Sequence, residues 1–236
     1  MQNQIMIEDS QLPIKLSWYK KWWGKLLLFI LILIVIALLI FGFLVYRSFA
    51  SVYNSQAKVG QSDAPYSMDK IIDPSDPYFG SPIAPIVIVE FGDFLCQVSQ
   101  RNYSVIRQLQ LKYPDQVRFY WRNFPIIDEA SVAYAQAGEC AHLQGKFWPF
   151  HDRLFQLQDK VTPADLLQIA IQTGLNEFHF TQCMTEQRNQ QKILADVSLA
   201  EELEVVGTPT FFVNGYKLAG YVSIETWEDI INSIAK

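Results

Sequence analysis

Residues 86–99 read IVIVEFGDFLCQVS, and the fold turns on them. Ile86, Val87, Ile88 and Val89 make a β-branched apolar run, the pattern of a strand buried on both faces. Glu90 interrupts that run, and a carboxylate buried there is costly unless something partners it. Gly92 and Asp93 then break the strand. Beyond them Tyr103, Ile106, Leu109 and Tyr113 recur at helical spacing, and Pro114 stops the pattern. Cys96 therefore stands where a buried strand hands over to a helix. The unpaired N–H groups and positive dipole end of a helix N-terminus favour a thiolate, the nucleophilic form of cysteine. On position alone, the competing reading is an inert buried thiol.

Downstream, Val117-Arg118-Phe119-Tyr120-Trp121 alternates like a second strand. Residues 130–191 read as mostly helical, with Gly145, Pro163 and Gly174 as breaks. Thr210-Phe211-Phe212-Val213 is a third strand, Asn214-Gly215 a hairpin turn, and residues 216–220 a fourth strand. Ser223 caps a last helix that carries Ile224, Trp227, Ile231 and Ile234 on one face. The order is β-α-β, a long helical insertion, then β-β-α. Pro209 heads the third strand, where it interrupts the ladder only at its first residue. An X-Pro bond is also the one place where a cis peptide is cheap.

Three phrases taken together, VEFGDFLCQVS at 89–99, ECAHLQGKFWPFHDRLF at 139–155 and VVGTPTFFVNG at 205–215, resemble the DsbA-like branch of the thioredoxin superfamily. The resemblance covers about Asp76 to Lys236. It implies an α/β thioredoxin fold with an inserted helical subdomain bordering a substrate groove. It further implies that Cys96 is the catalytic thiol and that Pro209 is a cis-proline facing it. The backbone of Thr208 would pair with an extended substrate, a form of strand addition. Glu90 matches the family's buried carboxylate beneath the site, a group that can relay protons when burial raises its pKa. The competing role for Glu90 is a carboxylate paired with a lysine in the core.

One departure changes the chemistry. The family's motif is Cys-x-x-Cys, whereas this chain has Cys96-Gln97-Val98-Ser99. A dithiol can donate its disulfide or resolve a mixed disulfide internally. A Cys-x-x-Ser site does neither alone, so an adduct on Cys96 waits for another thiol. Ser99 can donate a hydrogen bond to the Cys96 thiolate.

Cys140 and Cys183 both fall in the insertion. Two cysteines on the oxidising side of a membrane commonly form a structural bridge, worth roughly 4 kcal/mol for a loop of this length in the chain-entropy model. The alternatives are that one of them resolves the Cys96 adduct, or that both stay unpaired. His142, His151 and His179 lack metal spacing. His151 reads as a packed or capping histidine. Phe147, Trp148, Phe150 and Phe155 read as core of the insertion.

Upstream, Leu26 to Val45 is a run of twenty residues without a charge. At ~1.5 Å per residue it covers ~30 Å, the thickness of a bilayer's hydrocarbon core. Tyr46-Arg47-Ser48-Phe49-Ala50 is a poor cleavage site, which favours an uncleaved anchor over a signal peptide. Lys15, Lys20, Lys21 and Lys25 precede the span, while only Arg47 and Lys58 follow closely. The positive-inside bias puts the N-terminus in the cytoplasm, and Trp18, Tyr19, Trp22 and Trp23 sit where an interfacial belt would lie. The expected organisation is a cytoplasmic segment 1–25, an anchor 26–46, a Ser-, Asp- and Pro-rich tether 47–84, and a thioredoxin domain 85–236 with its insertion near 130–191.

Beyond Arg47 there are fourteen basic and twenty-two acidic residues, a net charge of −8. That balance argues against nucleic acid and against docking on anionic lipid. No cofactor or metal is expected. The leading expectation is a single-pass, extracytoplasmic thiol-disulfide exchange protein acting through Cys96 on protein or peptide thiols and disulfides. An external thiol such as glutathione, or a redox partner protein, would release the adduct. Its rivals are a redox-inactive binding or chaperone module using the same peptide groove, and a glutathione-linked transferase using Ser99.

Overall fold

In the computed structural model of the chain, the described residues are 22–53 and 65–234. They fall into two compact units, 1–54 and 55–236. The first contains the helix α1, Trp22–Tyr53. It outruns the apolar stretch at both ends, and residues 25–47 are long and apolar enough to cross a membrane. Leu26, Leu31, Leu39 and Phe41 point outward on all sides of it and stay exposed. A helix that is apolar all round needs an apolar surrounding.

The second unit is built on a five-stranded sheet of order β1-β3-β2-β4-β5. Its strands are β1 (Tyr78–Gly80), β2 (Ile86–Gly92), β3 (Val117–Asn123), β4 (Thr210–Val213) and β5 (Tyr216–Ala219). The run that reads as a doubly buried strand is the central strand β2. It pairs parallel with β3, Glu90 opposite Trp121, and antiparallel with β4, Glu90 opposite Phe211. The parallel pair needs a crossover, and α3 (Gln97–Lys112) supplies it. Asn214 (φ 46°) and Gly215 (φ 90°) close the β4–β5 hairpin with both central residues left-handed, as a type I′ turn requires.

Side chains alternate across the sheet. Ile86 and Ile88 of β2 join Phe211 and Val213 beneath Val105, Ile106 and Leu109 of α3 and Trp227 and Ile231 of α9 (Ile224–Ile234). Val89, Phe91 and Phe212 line the opposite face with Ala200 and Leu203. Between β3 and β4 the insertion folds on its own core, into which Phe94 and Trp121 reach. Its helices are α4 (Ser131–His142), α5 (Phe147–Leu157), α6 (Leu166–Gln172), α7 (Glu177–Glu186) and α8 (Gln190–Glu202). The architecture is thus an α/β thioredoxin fold with an inserted helical subdomain.

Two expected boundaries move. Of the stretch read as a tether over 47–84, the described residues 47–53 belong to α1 and those from Pro65 onward pack into the second unit. The latter form the short helix α2 (Met68–Ile71) and the edge strand β1, with Ile71 fully buried and Phe79 stacked on Phe119 at 5.1 Å. A three-residue strand is too short to display a period. The insertion also continues past 191, because α8 runs to Glu202. Left-handed Gln187, rather than a glycine or proline, marks the break before α8.

Candidate functional site

The site lies where β2 ends. Asp93 organises the turn: its buried carboxylate accepts N–H groups of Leu95 (2.8 Å), Ile126 (2.8 Å) and Ile127 (2.9 Å). Those bonds tie the loop before Cys96 to the loop after β3. Cys96 is the N-cap residue of α3, with extended backbone (φ −76°, ψ 117°). Its carbonyl accepts the first bond of the helix, from Gln100 N–H at 3.0 Å. Its thiol is buried and donates to the Thr208 carbonyl at 3.1 Å. Thr208-Pro209 is a cis peptide bond. The strand–turn–helix local code thus brings Cys96, Thr208 and Pro209 together from positions 112 residues apart.

Ser99 comes one turn down α3, buried, with its hydroxyl making no hydrogen bond among the described residues. Glu90 shares the sheet face of Ile86 and Ile88, under α3. It is buried, and no described residue bonds or ion-pairs its carboxylate, so the paired-lysine role for it does not hold. Desolvation alone pushes its pKa from 4.5 up to about 8. At neutral pH it is therefore a neutral acid.

A second polar centre has no counterpart in the sequence reading. Arg122 of β3 is buried between Asp196 (2.9 Å) and Asp76 (3.4 Å), and Lys192 bridges the same two carboxylates at 2.6 Å each. Asn123 extends the centre to Glu139 at 2.6 Å and receives the Trp121 indole N–H at 3.1 Å. Burial raises Asp76 to about 6 and Glu139 to about 7, against the pull of Lys192 on both. These groups fasten β3, α4, α8 and the segment just before β1 together. Their contacts are with one another rather than with Cys96.

Cys140 and Cys183 are disulfide-bonded, with Cα atoms 5.8 Å apart, and join α4 to α7. Asn189 donates toward both sulfurs, at 3.7 and 3.4 Å. Cys96 is the free cysteine. His151 is buried in a cage of Phe94, Trp121, Phe147, Trp148 and Phe155, and its Nδ1 meets Asp152 at 2.9 Å. Burial holds its pKa below the ordinary histidine value, so the ring is packed core. Phe147, Phe150 and Phe155 lie in the insertion's core; Trp148 bridges to β1, its indole N–H donating to the Tyr78 carbonyl at 2.8 Å. Among the described residues no group of three His, Cys, Asp or Glu is placed to hold a metal ion.

A thioredoxin family model matches residues 73–233. A probable disulfide bond formation protein D of Bacillus cereus is 30% identical over 190 residues, covering 75% of this chain and 83% of that protein. A Na(+)/H(+) antiporter NhaA 3 of Salinispora tropica is 35% identical over 179 residues. That match covers 75% of this chain but 27% of the antiporter, so the chain spans about a quarter of that relative. Among solved structures, a thioredoxin-like oxidoreductase of Silicibacter pomeroyi is 29% identical with a TM-score of 0.64, covering 69% of this chain and 94% of that one.

Proposed function

The chain belongs to the thioredoxin family, in its branch of DsbA-like thiol-disulfide oxidoreductases, and from that premise we propose that it exchanges disulfides through the single thiol of Cys96. The observation that carries this reading is the Cys96 thiol at a helix N-cap, 3.1 Å from the carbonyl that precedes cis-Pro209, with a serine three residues on. The Cys96 thiolate attacks a protein or peptide disulfide. One new S–S bond forms, the substrate's own S–S bond breaks, and the departing sulfur takes a proton. Thr208 offers its backbone to an extended substrate segment, and cis-Pro209, its carbonyl already taken by the Gly220 N–H, borders that segment. Glu90 is the proton store beneath the thiol. Ser99 brings no second sulfur, so a thiol from outside, glutathione-like or borne by a redox partner, completes the exchange.

The helix α1 supports a membrane anchor with the N-terminus in the cytoplasm and the thiol domain outside it. External protease on spheroplasts should then digest the domain and spare the first residues. Protection of the domain would sink this topology.

Trapping tests the exchange. Membrane extracts run without reductant should contain mixed disulfides of the wild-type chain that vanish in Cys96→Ser and are released by dithiothreitol. A Cys96 that forms no adduct in cells, and none with small disulfides at neutral pH, would overturn the reading. The binding-module reading would then take its place. It is favoured by Val206, 90% exposed, and by exposed Ile126 and Ile127, which rim the same loops.

A further inference from the structure

The insertion and the thiol helix are joined by two side-chain amides that cross in opposite directions. Gln100, in the first turn of α3, donates to the Phe155 carbonyl of α5 at 2.8 Å. Gln158, where α5 passes into the 3-10 turn Gln158–Lys160, donates back to the carbonyls of Phe94 (2.7 Å) and Cys96 (3.0 Å). Those carbonyls bracket the last step of the chain into the nucleophile. One amide group thus holds both ends of the Phe94–Leu95–Cys96 turn, from an element more than fifty residues away.

Gln158 is buried, and its Oε1 has no hydrogen-bond partner among the described residues. A buried amide oxygen left unpaired is destabilising, and an apolar side chain of similar size would avoid that penalty. The compensation lies at the other end of the amide. Without its N–H donors the Phe94 carbonyl would face a dry interior with no donor among the described residues, and the Cys96 carbonyl would keep only the Gln100 N–H at 3.0 Å.

We propose that Gln158 is the positioning residue for Cys96, its amide fixing the turn in the geometry from which the thiol attacks a disulfide. The inserted subdomain thereby sets the rate of exchange. This inference rests on Cys96 being the exchange nucleophile. Gln158 acts through the main chain, and the electron balance stays that of the exchange itself: one substrate S–S bond breaks as the Cys96–substrate S–S bond forms.

The test is the second-order rate of Cys96 in the detergent-solubilised full chain with dithiodipyridine, between about pH 5 and pH 9, alongside urea unfolding. Gln158→Leu keeps the volume and removes the donors. It should slow the reaction about tenfold, the scale of the one carbonyl, that of Phe94, left without a donor. Gln158→Glu gives a readout that a merely structural role would not move. When protonated, the introduced carboxyl still donates one O–H; when ionised, it opposes two carbonyl oxygens. Its rate relative to wild type should therefore approach one at low pH and fall to the Gln158→Leu level as pH rises. A ratio that stays flat with pH, or Gln158→Leu reacting at the wild-type rate, would overturn the proposal, whatever the unfolding curves show. Should Gln158→Leu fail to fold, the titration of Gln158→Glu decides alone. A wild-type Cys96 inert to the probe would instead remove the exchange reading, and this inference with it.

Discussion

Replacing Glu90 by glutamine should change how stability depends on pH, because the fold stores free energy in that carboxyl. Burial raises its pKa from 4.5 to about 8, with no partner among the described residues to offset the desolvation. Between those values the folded chain holds a proton that the unfolded chain has released. Stability is then fully present below about pH 4.5 and falls as pH rises toward 8. At about 1.4 kcal/mol per tenfold change in proton binding, that rise sets a ceiling of roughly 5 kcal/mol. Glu90→Gln keeps the size and polarity of the protonated acid and cannot ionise. The variant should match wild type near pH 4.5 and exceed it above pH 8 by several kcal/mol.

Urea unfolding of the full chain in detergent, followed by tryptophan fluorescence, measures this. Trp121 and Trp227 are fully buried in the thiol-bearing unit and report its unfolding. Asp76 and Glu139, also raised by burial, add pH dependence of the same sign. The difference between variant and wild type, rather than either curve, therefore isolates Glu90. Parallel curves across pH 5–9 would refute the reasoning, since they would mean that Glu90 is ionised, or solvated, in the folded chain.

Three further outcomes are expected. Ser99→Cys should restore a dithiol, shorten the life of Cys96 adducts on non-reducing gels and add thiol-oxidase activity; adducts as persistent as in wild type would deny that the missing second sulfur is what holds them. Removing the Cys140–Cys183 bridge, which closes a span of 43 residues, should cost roughly 4 kcal/mol of unfolding free energy, read from the urea curve, without abolishing adducts on Cys96. Arg122→Leu leaves Asp76 and Asp196 buried with Lys192 as their one cation among the described residues and should destabilise by roughly 3–5 kcal/mol at neutral pH, less below about pH 6 as Asp76 is protonated.

The thiol site was legible because its parts are coded locally. A doubly buried strand shows itself in four consecutive β-branched residues, and the helix start follows within a few positions, so Cys96 could be placed before any tertiary contact was known. The same holds for the Asn214-Gly215 turn, whose residue types alone admit two left-handed conformations. Gln158 escaped notice for the opposite reason. A glutamine at the end of an amphipathic helix carries no pattern, and its meaning lies in two carbonyls 64 and 62 residues earlier. The edge strand β1 escaped because three residues cannot show alternation.

The buried charges make the limit plainest. Glu90 stood out because it breaks an apolar run, and the same isolation leaves it without a partner among the described residues and raises its pKa. Asp76 is as deeply buried, yet Asp73-Pro74-Ser75-Asp76-Pro77 has the composition of a solvated tether. Its burial is decided by Arg122 and Lys192, both distant in sequence, and neither lies in a stretch that calls for an acid. A charge that opposes its own local sequence is visible in that sequence. A charge matched by remote partners is not, because each member looks ordinary until the chain brings them together. Glu90 is therefore unpaired among the described residues, six positions before Cys96, and able to hold a proton at neutral pH, while the Asp76–Arg122–Asp196–Lys192 group spends its charge on joining elements.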